Sequence, residues 1–224
     1  MAENESIHIK DDEDTIIKNQ MEKMVHSYDK YMKRITLGRE DALRRMTVNL
    51  AQVKSGDCVL EIGCATGSLS LAAKRQAGPT GSVFAIDIIP EMIEVSRKKA
   101  AQAKLDITFQ SGSIEDIPFP DENFDVVMCS FMIFHMSEKV RNKGIYEIYR
   151  VLKPSGRLMV LDLALPPNQV SRRILKIFLG FILKHDLKEL QPVMDASGFS
   201  KIEISQAKYR VLGLPILSFV TGVK

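Results

Sequence analysis

From Asp57 to Leu163 the sequence alternates short apolar segments with longer amphipathic ones, and this alternation constrains the fold more than any other feature. The apolar segments are hydrophobic throughout, which is typical of strands buried on both faces of a parallel sheet. The amphipathic segments between them show helical periodicity and end at breakers such as Gly78-Pro79. The predicted strands are 57–62, 81–87, 106–110, 124–131 and 156–163, and the predicted helices are 67–78, 90–104 and 140–152.

The two ends of the chain depart from this alternation. Apolar residues at helical spacing, broken at Gly38, predict two helices between Thr15 and Leu50. A helix is predicted at 185–199, and the strands 201–209 and 215–224 follow it with no helix between them, so they must pair antiparallel. The predicted fold class is α/β: a Rossmann-like, doubly wound seven-stranded sheet, mostly parallel with one antiparallel strand near the C-terminus, and helices on both faces.

The segment VLEIGCATGSLS at 59–70 follows the first strand, and in such a sheet ligands bind at the carboxyl ends of the parallel strands. Its spacing excludes a P-loop, which needs a lysine after its last glycine. A dinucleotide fingerprint matches poorly, because it needs glycines where this chain has Ala65 and Ser68. The remaining pattern, acid-x-Gly-x-x-x-Gly, is met by Glu61, Gly63 and Gly67 and resembles the first motif of class I S-adenosylmethionine (SAM) methyltransferases.

The resemblance continues from about Tyr28 to Leu163. Asp87 ends the second strand about 20 residues beyond the loop, where its carboxylate can accept from both hydroxyls of a ribose. The segments SGSIEDIPFPDENFDVV and VLKPSGRLMVLDL resemble later parts of the family pattern. YMKRITLGREDALRR, GCATGSL and AIDIIPEM are most similar to the ubiquinone and menaquinone biosynthesis C-methyltransferases and their type 11 relatives.

This resemblance implies that the chain transfers the methyl group of SAM, by in-line displacement, to a small apolar or aromatic acceptor and leaves S-adenosylhomocysteine. The residues that it assigns to the cofactor are Tyr28, Glu61, Gly63, Cys64, Ala65, Thr66, Gly67, Asp87, Ile88, Met92, Ser113, Ile114, Ser130 and Phe131. Glu61 is expected to order the loop and accept from the cofactor's amino group, and residues 63–67 to line its methionine part. Asp87 is expected to hold the ribose.

The remaining assignments concern the adenine, the sulfonium and the methionine carboxylate. Ile88, Met92 and residues 113–114 are expected to contact the adenine, although many relatives have Asp or Asn where this chain has Ser113. Residues 130–131 are expected under the sulfonium. Tyr28, on a helix that covers the cofactor, either contacts the methionine carboxylate or packs in the core.

The segment after the fourth strand, SFMIFH at 130–135, replaces the Ser-Phe-Gly-Leu-Arg-Asn of the quinone enzymes and gives the site an apolar floor, which disfavours a quinone. His135 is predicted as the catalytic base, with local packing at the start of the next helix as the alternative. The methionines and phenylalanines of this region are interpreted as core or as an adaptable acceptor pocket. They are Met128, Phe131, Met132, Phe134 and Met136.

The length fits one domain. Residues 1–13 are predicted to be disordered and 14–224 to form a single methyltransferase domain. Within it, 14–50 form a helical lid, 56–165 the cofactor-binding core, and 166–224 an acceptor-side cap helix with the last strands. The basic and apolar segment 171–185 fits either this cap or a transient contact with a membrane surface.

Two other functions stay open: methyl transfer to a protein or nucleic acid, and SAM binding without catalysis. A net charge of +3 is only weakly basic, so no nucleic-acid partner is expected. Cys58, Cys64 and Cys129 form no Cys-x-x-Cys pair and lie in apolar segments, which indicates buried free thiols and a cytoplasmic location. No metal is expected, and the sequence carries no signal for the oligomeric state.

Overall fold

The computed structural model describes residues 13–133, 136–163, 169, 173, 186–207 and 217–224. The N-terminal part contains α1 (Glu13–Met24), a 3-10 turn (Val25–Ser27), α2 (Tyr28–Ile35) and α3 (Glu40–Leu50). The central part contains β1 (Cys58–Ile62), α4 (Ser68–Ala77), β2 (Ser82–Asp87), α5 (Pro90–Ala103), β3 (Thr108–Ser111), β4 (Phe124–Ser130), α6 (Glu138–Val151) and β5 (Leu152–Leu163). A 3-10 helix (Leu187–Leu190), α7 (Gln191–Ser197), β6 (Ser200–Gln206) and β7 (Leu217–Val223) follow.

The seven strands form one sheet in the order β3-β2-β1-β4-β5-β7-β6. Neighbouring strands from β3 to β5 are parallel, and β7 runs antiparallel to both β5 and β6. This arrangement confirms the predicted doubly wound sheet with one antiparallel strand. Because the strand order reverses between β1 and β4, a crevice opens at the carboxyl ends of these strands.

Helices cover both faces of the sheet, which explains why the central strands are apolar at consecutive positions. On one face, α2, α3 and α4 pack Met32, Leu43 and Leu69 against a cluster that includes Val59 and Met128. On the other face, α6 and α7 pack against a second cluster of strand residues, among them Leu60, Val127 and Cys129. Successive residues of β1 and β4 therefore enter opposite cores, and each core excludes water from one side of the sheet.

Several element boundaries differ from the sequence prediction, and two of these differences lie in the first N-terminal helix and in β5. The first N-terminal helix is interrupted at Val25–Ser27, where Val25 turns inward and is buried while the Ser27 hydroxyl donates to the carbonyl of Met24. β5 begins at Leu152, before the predicted turn, and its register against β4 shifts between Leu152 and Arg157.

Three predicted parts of the chain lie outside the described residues: 1–12, His135 and, apart from Arg173, the segment 171–185. Their predicted roles stay predictions. In the part of the chain that the structure describes, no helix combines the length and the hydropathy needed to span a bilayer.

Candidate functional site

A cavity of about 330 Å³ opens at the carboxyl ends of β1, β2 and β4. Small-molecule sites have volumes of about 300–1,000 Å³. The described wall includes ten of the fourteen residues assigned to the cofactor: Tyr28, Gly63, Ala65, Asp87, Ile88, Met92, Ser113, Ile114, Ser130 and Phe131. The fold therefore brings together residues that are up to about a hundred positions apart, at the place where a doubly wound sheet binds ligands.

The loop from β1 to α4 forms one wall and turns sharply because several of its residues are left-handed. The φ angle is +69° at Gly63, +46° at Ala65 and +78° at Gly67. Packing also favours glycine at 67, because a Cβ there would lie 3.0 Å from the Cβ of Ser96 on α5. Ala65 adopts this conformation without the freedom of glycine, at a cost of about 1–2 kcal/mol. Such strain is concentrated at functional sites.

Asp87 ends β2 beside this loop, and both of its carboxylate oxygens accept from the backbone. Oδ2 accepts from the N–H of Ala65 at 2.8 Å, and Oδ1 accepts from the N–H of Ile89 at 3.0 Å. Burial raises the pKa of the Asp87 carboxyl, and these backbone bonds oppose the rise. The carboxylate thus connects the loop to the start of α5 and lines the cavity, where an ionised acceptor suits a diol.

Glu61 is buried behind the loop and outside the described cavity wall. It accepts a short hydrogen bond from the hydroxyl of Ser70 on α4. Burial raises the pKa of Glu61 to about 8, although the Ser70 bond and the positive charge of Arg44 lower it. In the structure Glu61 holds β1 against α4, and its contact with a cofactor amino group stays a prediction.

Tyr28 lies close to both of these carboxyls, and Arg44 lies close to Glu61 and Tyr28. Burial raises the pKa of Tyr28 to about 12, so the phenol that lines the cavity is neutral at physiological pH. Arg44 is buried on α3 and forms an ion pair with Glu40 at 3.2 Å. Its charge lowers the pKa of both Tyr28 and Glu61, a role that sequence reasoning missed because α3 was assigned only to the lid.

Cys64, Thr66 and Gly67 also lie outside the described wall. The Thr66 hydroxyl donates to Oδ1 of Asp29 at 2.6 Å and accepts from Nζ of Lys99 at 2.9 Å. Nζ of Lys99 lies 2.7 Å from the Asp29 carboxylate. We call Asp29, Thr66 and Lys99 the clasp, because they join α2, the loop and α5. Cys64 is buried and packs between the sheet and α5. Direct contacts of these residues with a cofactor stay predictions.

The end of β4 supplies the opposite wall. The hydroxyl of Ser130 is buried without a hydrogen-bond partner in the described structure, and the residue lines the cavity. Phe131 follows it in a left-handed conformation with φ of +58°. The side chain of Met132 lies over Gly63, so a Cβ on that glycine would collide with the Met132 sulfur. A buried hydroxyl without a partner is available to a ligand that enters this cavity.

The apolar cluster predicted around β4 divides between two roles. Met128 is fully buried in the core, whereas Phe131, Met132 and Met136 line the cavity. Phe134 and His135 lie outside the described residues, so the catalytic assignment of His135 stays a prediction. Among the described residues no cluster of three or more His, Cys, Asp or Glu is placed to hold a metal ion.

Sequence reasoning assigned residues 14–50 to a lid but named none of the α1 residues that form most of the roof. Ile17 and Met21 line the cavity from adjacent turns of α1, and their i, i+4 spacing in the sequence is a signal that could have identified this face. Oδ1 of Asp14 accepts from the N–H of Ser137 at 2.8 Å, which fastens α1 to the start of α6. Glu115 was also missed, although it lies two residues after Ser113 on the same wall.

Comparison with known proteins agrees with this geometry. The family model described as "Methyltransferase domain" matches residues 59–156. A demethylmenaquinone methyltransferase of Lactobacillus johnsonii is 32% identical over 147 residues, which cover 65% of this chain and 59% of that protein. The ubiquinone/menaquinone biosynthesis C-methyltransferase UbiE of a Marinomonas species is 34% identical over 133 residues, covering 58% of this chain and 52% of the relative. The chain thus spans a little over half the length of these relatives.

A solved structure shows the same fold. A SAM-dependent methyltransferase from Aquifex aeolicus matches with a TM-score of 0.69 at 19% identity, over 90% of this chain and 97% of that one. At this identity the likeness establishes the architecture, and the site must be argued from its own residues.

Proposed function

We propose that this chain is a class I SAM-dependent methyltransferase that binds SAM in the cavity and transfers its methyl group to a small molecule, as its similarity to methyltransferases supports. The transfer is an in-line displacement, in which the acceptor forms a bond to the methyl carbon as the bond from that carbon to sulfur breaks. Since the sulfonium is already electrophilic, the protein's main task is to align the acceptor with the methyl group and exclude water. The product is S-adenosylhomocysteine.

The observation that carries this proposal is the convergence of Asp87, the left-handed loop and the end of β4 on one cavity. We assign the Asp87 carboxylate to the ribose hydroxyls, because an ionised oxygen accepts strongly from both. Ile88 and Met92 give the adenine an apolar surface. We place the sulfonium near Phe131, whose ring attracts a cation.

We propose a small apolar or aromatic acceptor, and two observations support this class. The cavity receives the apolar side chains of Met132, Met136 and Val140 near the end of β4, and those of Ile17 and Met21 from α1. The relatives are named for quinone biosynthesis, so a quinol ring is the first acceptor to test, although the segment SFMIFH after β4 departs from the quinone enzymes. We also propose a cytoplasmic location, which the three free cysteines support.

Titration calorimetry with SAM and with S-adenosylhomocysteine tests cofactor binding. We expect micromolar or tighter affinity for both, and a loss on the order of 100-fold in Asp87→Ala, because two charge-assisted hydrogen bonds disappear. Asp106→Asn is the matched control, since Asp106 is an exposed carboxylate outside the described wall. Absence of binding to the unmodified protein, or no effect of Asp87→Ala, would refute the proposal.

Acceptor identity requires a separate assay with SAM labelled in its methyl group. The protein is incubated with demethylmenaquinol, a panel of simple phenols, and a cell extract separated into small molecules, protein and nucleic acid. We expect label in an organic-extractable small molecule. Label confined to protein or nucleic acid would contradict the small-molecule assignment while leaving the methyltransferase assignment intact.

A further inference from the structure

Gly144 lies in the middle of α6, where glycine is among the least favourable helix residues. Its environment explains the choice. A Cβ at this position would lie 2.6 Å from both Cγ1 and Cδ1 of Ile114. Side-chain carbons do not pack at that distance, so Ile114 keeps its place only while residue 144 has no side chain.

Ile114 is 4% exposed and has two different neighbourhoods. On one side it packs in the hydrophobic cluster between the sheet and α6, where Ile117 and Ile145 also lie. On the other side it lines the cavity. A side chain at 144 would push on Ile114. The hydrophobic cluster is well packed and has no room for Ile114, whereas the cavity does, so Ile114 would move toward the cavity.

α6 cannot relieve this pressure by moving away, because two of its residues hold the segment after Ile114. Oε2 of Glu147 accepts from the N–H of Ile117 at 3.0 Å. Arg150 donates to the carbonyls of Ile117 and Phe119 at 3.0 Å and 2.9 Å. The two side chains also form an ion pair with each other at 2.7 Å. The distance between α6 and this wall of the cavity is therefore fixed.

We infer that Gly144 is a positioning residue that sets how far Ile114 projects into the cavity, and hence the size of the base that the cavity admits. This inference rests on the proposed function and on the contact of residues 113–114 with the adenine that the family resemblance implies. Gly144 does not touch the ligand and acts through Ile114. Adding a methyl group at 144 reduces the space for the base, and shortening Ile114 enlarges it.

Calorimetry with S-adenosylhomocysteine on a small set of variants tests the inference. We expect Gly144→Ala to weaken binding about tenfold or more, the scale on which pockets discriminate single methylene groups. Lys143→Ala, an exposed change on the same helix, should leave the affinity unchanged. In the double variant with Ile114→Ala the methyl group at 144 has nothing to displace, so its affinity should match that of Ile114→Ala alone. A purely structural defect at 144 would not be rescued in this way.

A second ligand and a crystal structure complete the test. An S-adenosylhomocysteine analogue with a benzyl group on the adenine amine should bind Ile114→Ala more tightly than the unmodified protein. The crystal structure of Gly144→Ala should show Ile114 displaced toward the cavity. Equal affinities of Gly144→Ala and the unmodified protein, or an unmoved Ile114, would overturn the inference. If the unmodified protein does not bind S-adenosylhomocysteine, the proposed function fails, and the position of Ile114 in the variant still decides this inference.

Discussion

Replacing Ala65 with glycine should stabilise the protein, the opposite of the usual effect of removing a buried methyl group. At φ of +46°, Ala65 carries a left-handed cost of about 1–2 kcal/mol, which glycine does not have. Against this gain, glycine lowers stability by about 0.4–1 kcal/mol through the greater freedom of the unfolded chain. Removing a methyl group at the cavity wall costs part of the ~0.8 kcal/mol assigned to a buried CH₂. The balance is a net stabilisation of about 0.5 kcal/mol.

Thermal unfolding measures this balance. For a chain of this size about 1 kcal/mol corresponds to roughly 2–4 °C, so Tm of Ala65→Gly should rise by about 1–2 °C. Ala101→Gly is the matched control, because Ala101 is exposed on α5 and is not left-handed. Its Tm should fall by about 2–4 °C, in line with the helix propensity of glycine. If the two variants lose stability equally, the argument that Ala65 is strained is wrong.

Three further predictions follow from the site. The folded-state pKa of Glu61 is about 8 against an ordinary 4.5, so the folded chain retains a proton that the unfolded chain loses. The free energy of unfolding therefore falls as pH rises from about 4.5 through 8. Glu61→Gln cannot ionise and should show a smaller fall in Tm between about pH 6 and 9. Lys99→Met weakens the clasp by removing its ion pair with Asp29 and its bond to Thr66, so amide hydrogen exchange over residues 13–35 should become faster, whereas exposed Lys98→Met should not change it. Ser130→Ala removes a hydroxyl without a partner in the described structure, so Tm should stay the same or rise. The affinity for S-adenosylhomocysteine should fall several-fold, because the ligand loses a hydrogen-bond partner. A lower Tm with unchanged affinity would contradict a ligand-binding role for Ser130.

The sheet could be predicted from the sequence because its strands are buried on both faces and leave continuous apolar segments such as VVMC at 126–129. The cavity's position followed from the strand order and the glycine spacing. Asp87 was also predictable, since β2 ends at it and strand ends mark the ligand edge. These are local patterns, and one segment of sequence is enough to identify each.

The direction of side chains within the loop was not predictable in the same way. Left-handed residues at 63, 65 and 67 rotate the backbone. As a result the side chain of Cys64 points into the core, and that of Thr66 points toward Asp29. The pairing of Gly144 with Ile114 joins residues 30 positions apart; a glycine inside a predicted helix hints at close packing, but the sequence does not show which residue packs against it. Such contacts depend on how helices settle against the sheet, which spacing alone does not encode.

The clasp has a consequence for the rate of turnover. The partly exposed ion pair between Lys99 and Asp29 fastens α2, which follows the roof helix α1 in the chain, and dissolved salt screens such pairs. Release of a product held under a cover is often the slow step of an enzyme. We therefore expect S-adenosylhomocysteine to dissociate faster as ionic strength increases. The protein's throughput would then be set in part by the salt concentration of its surroundings, through three side chains that lie outside the described cavity wall.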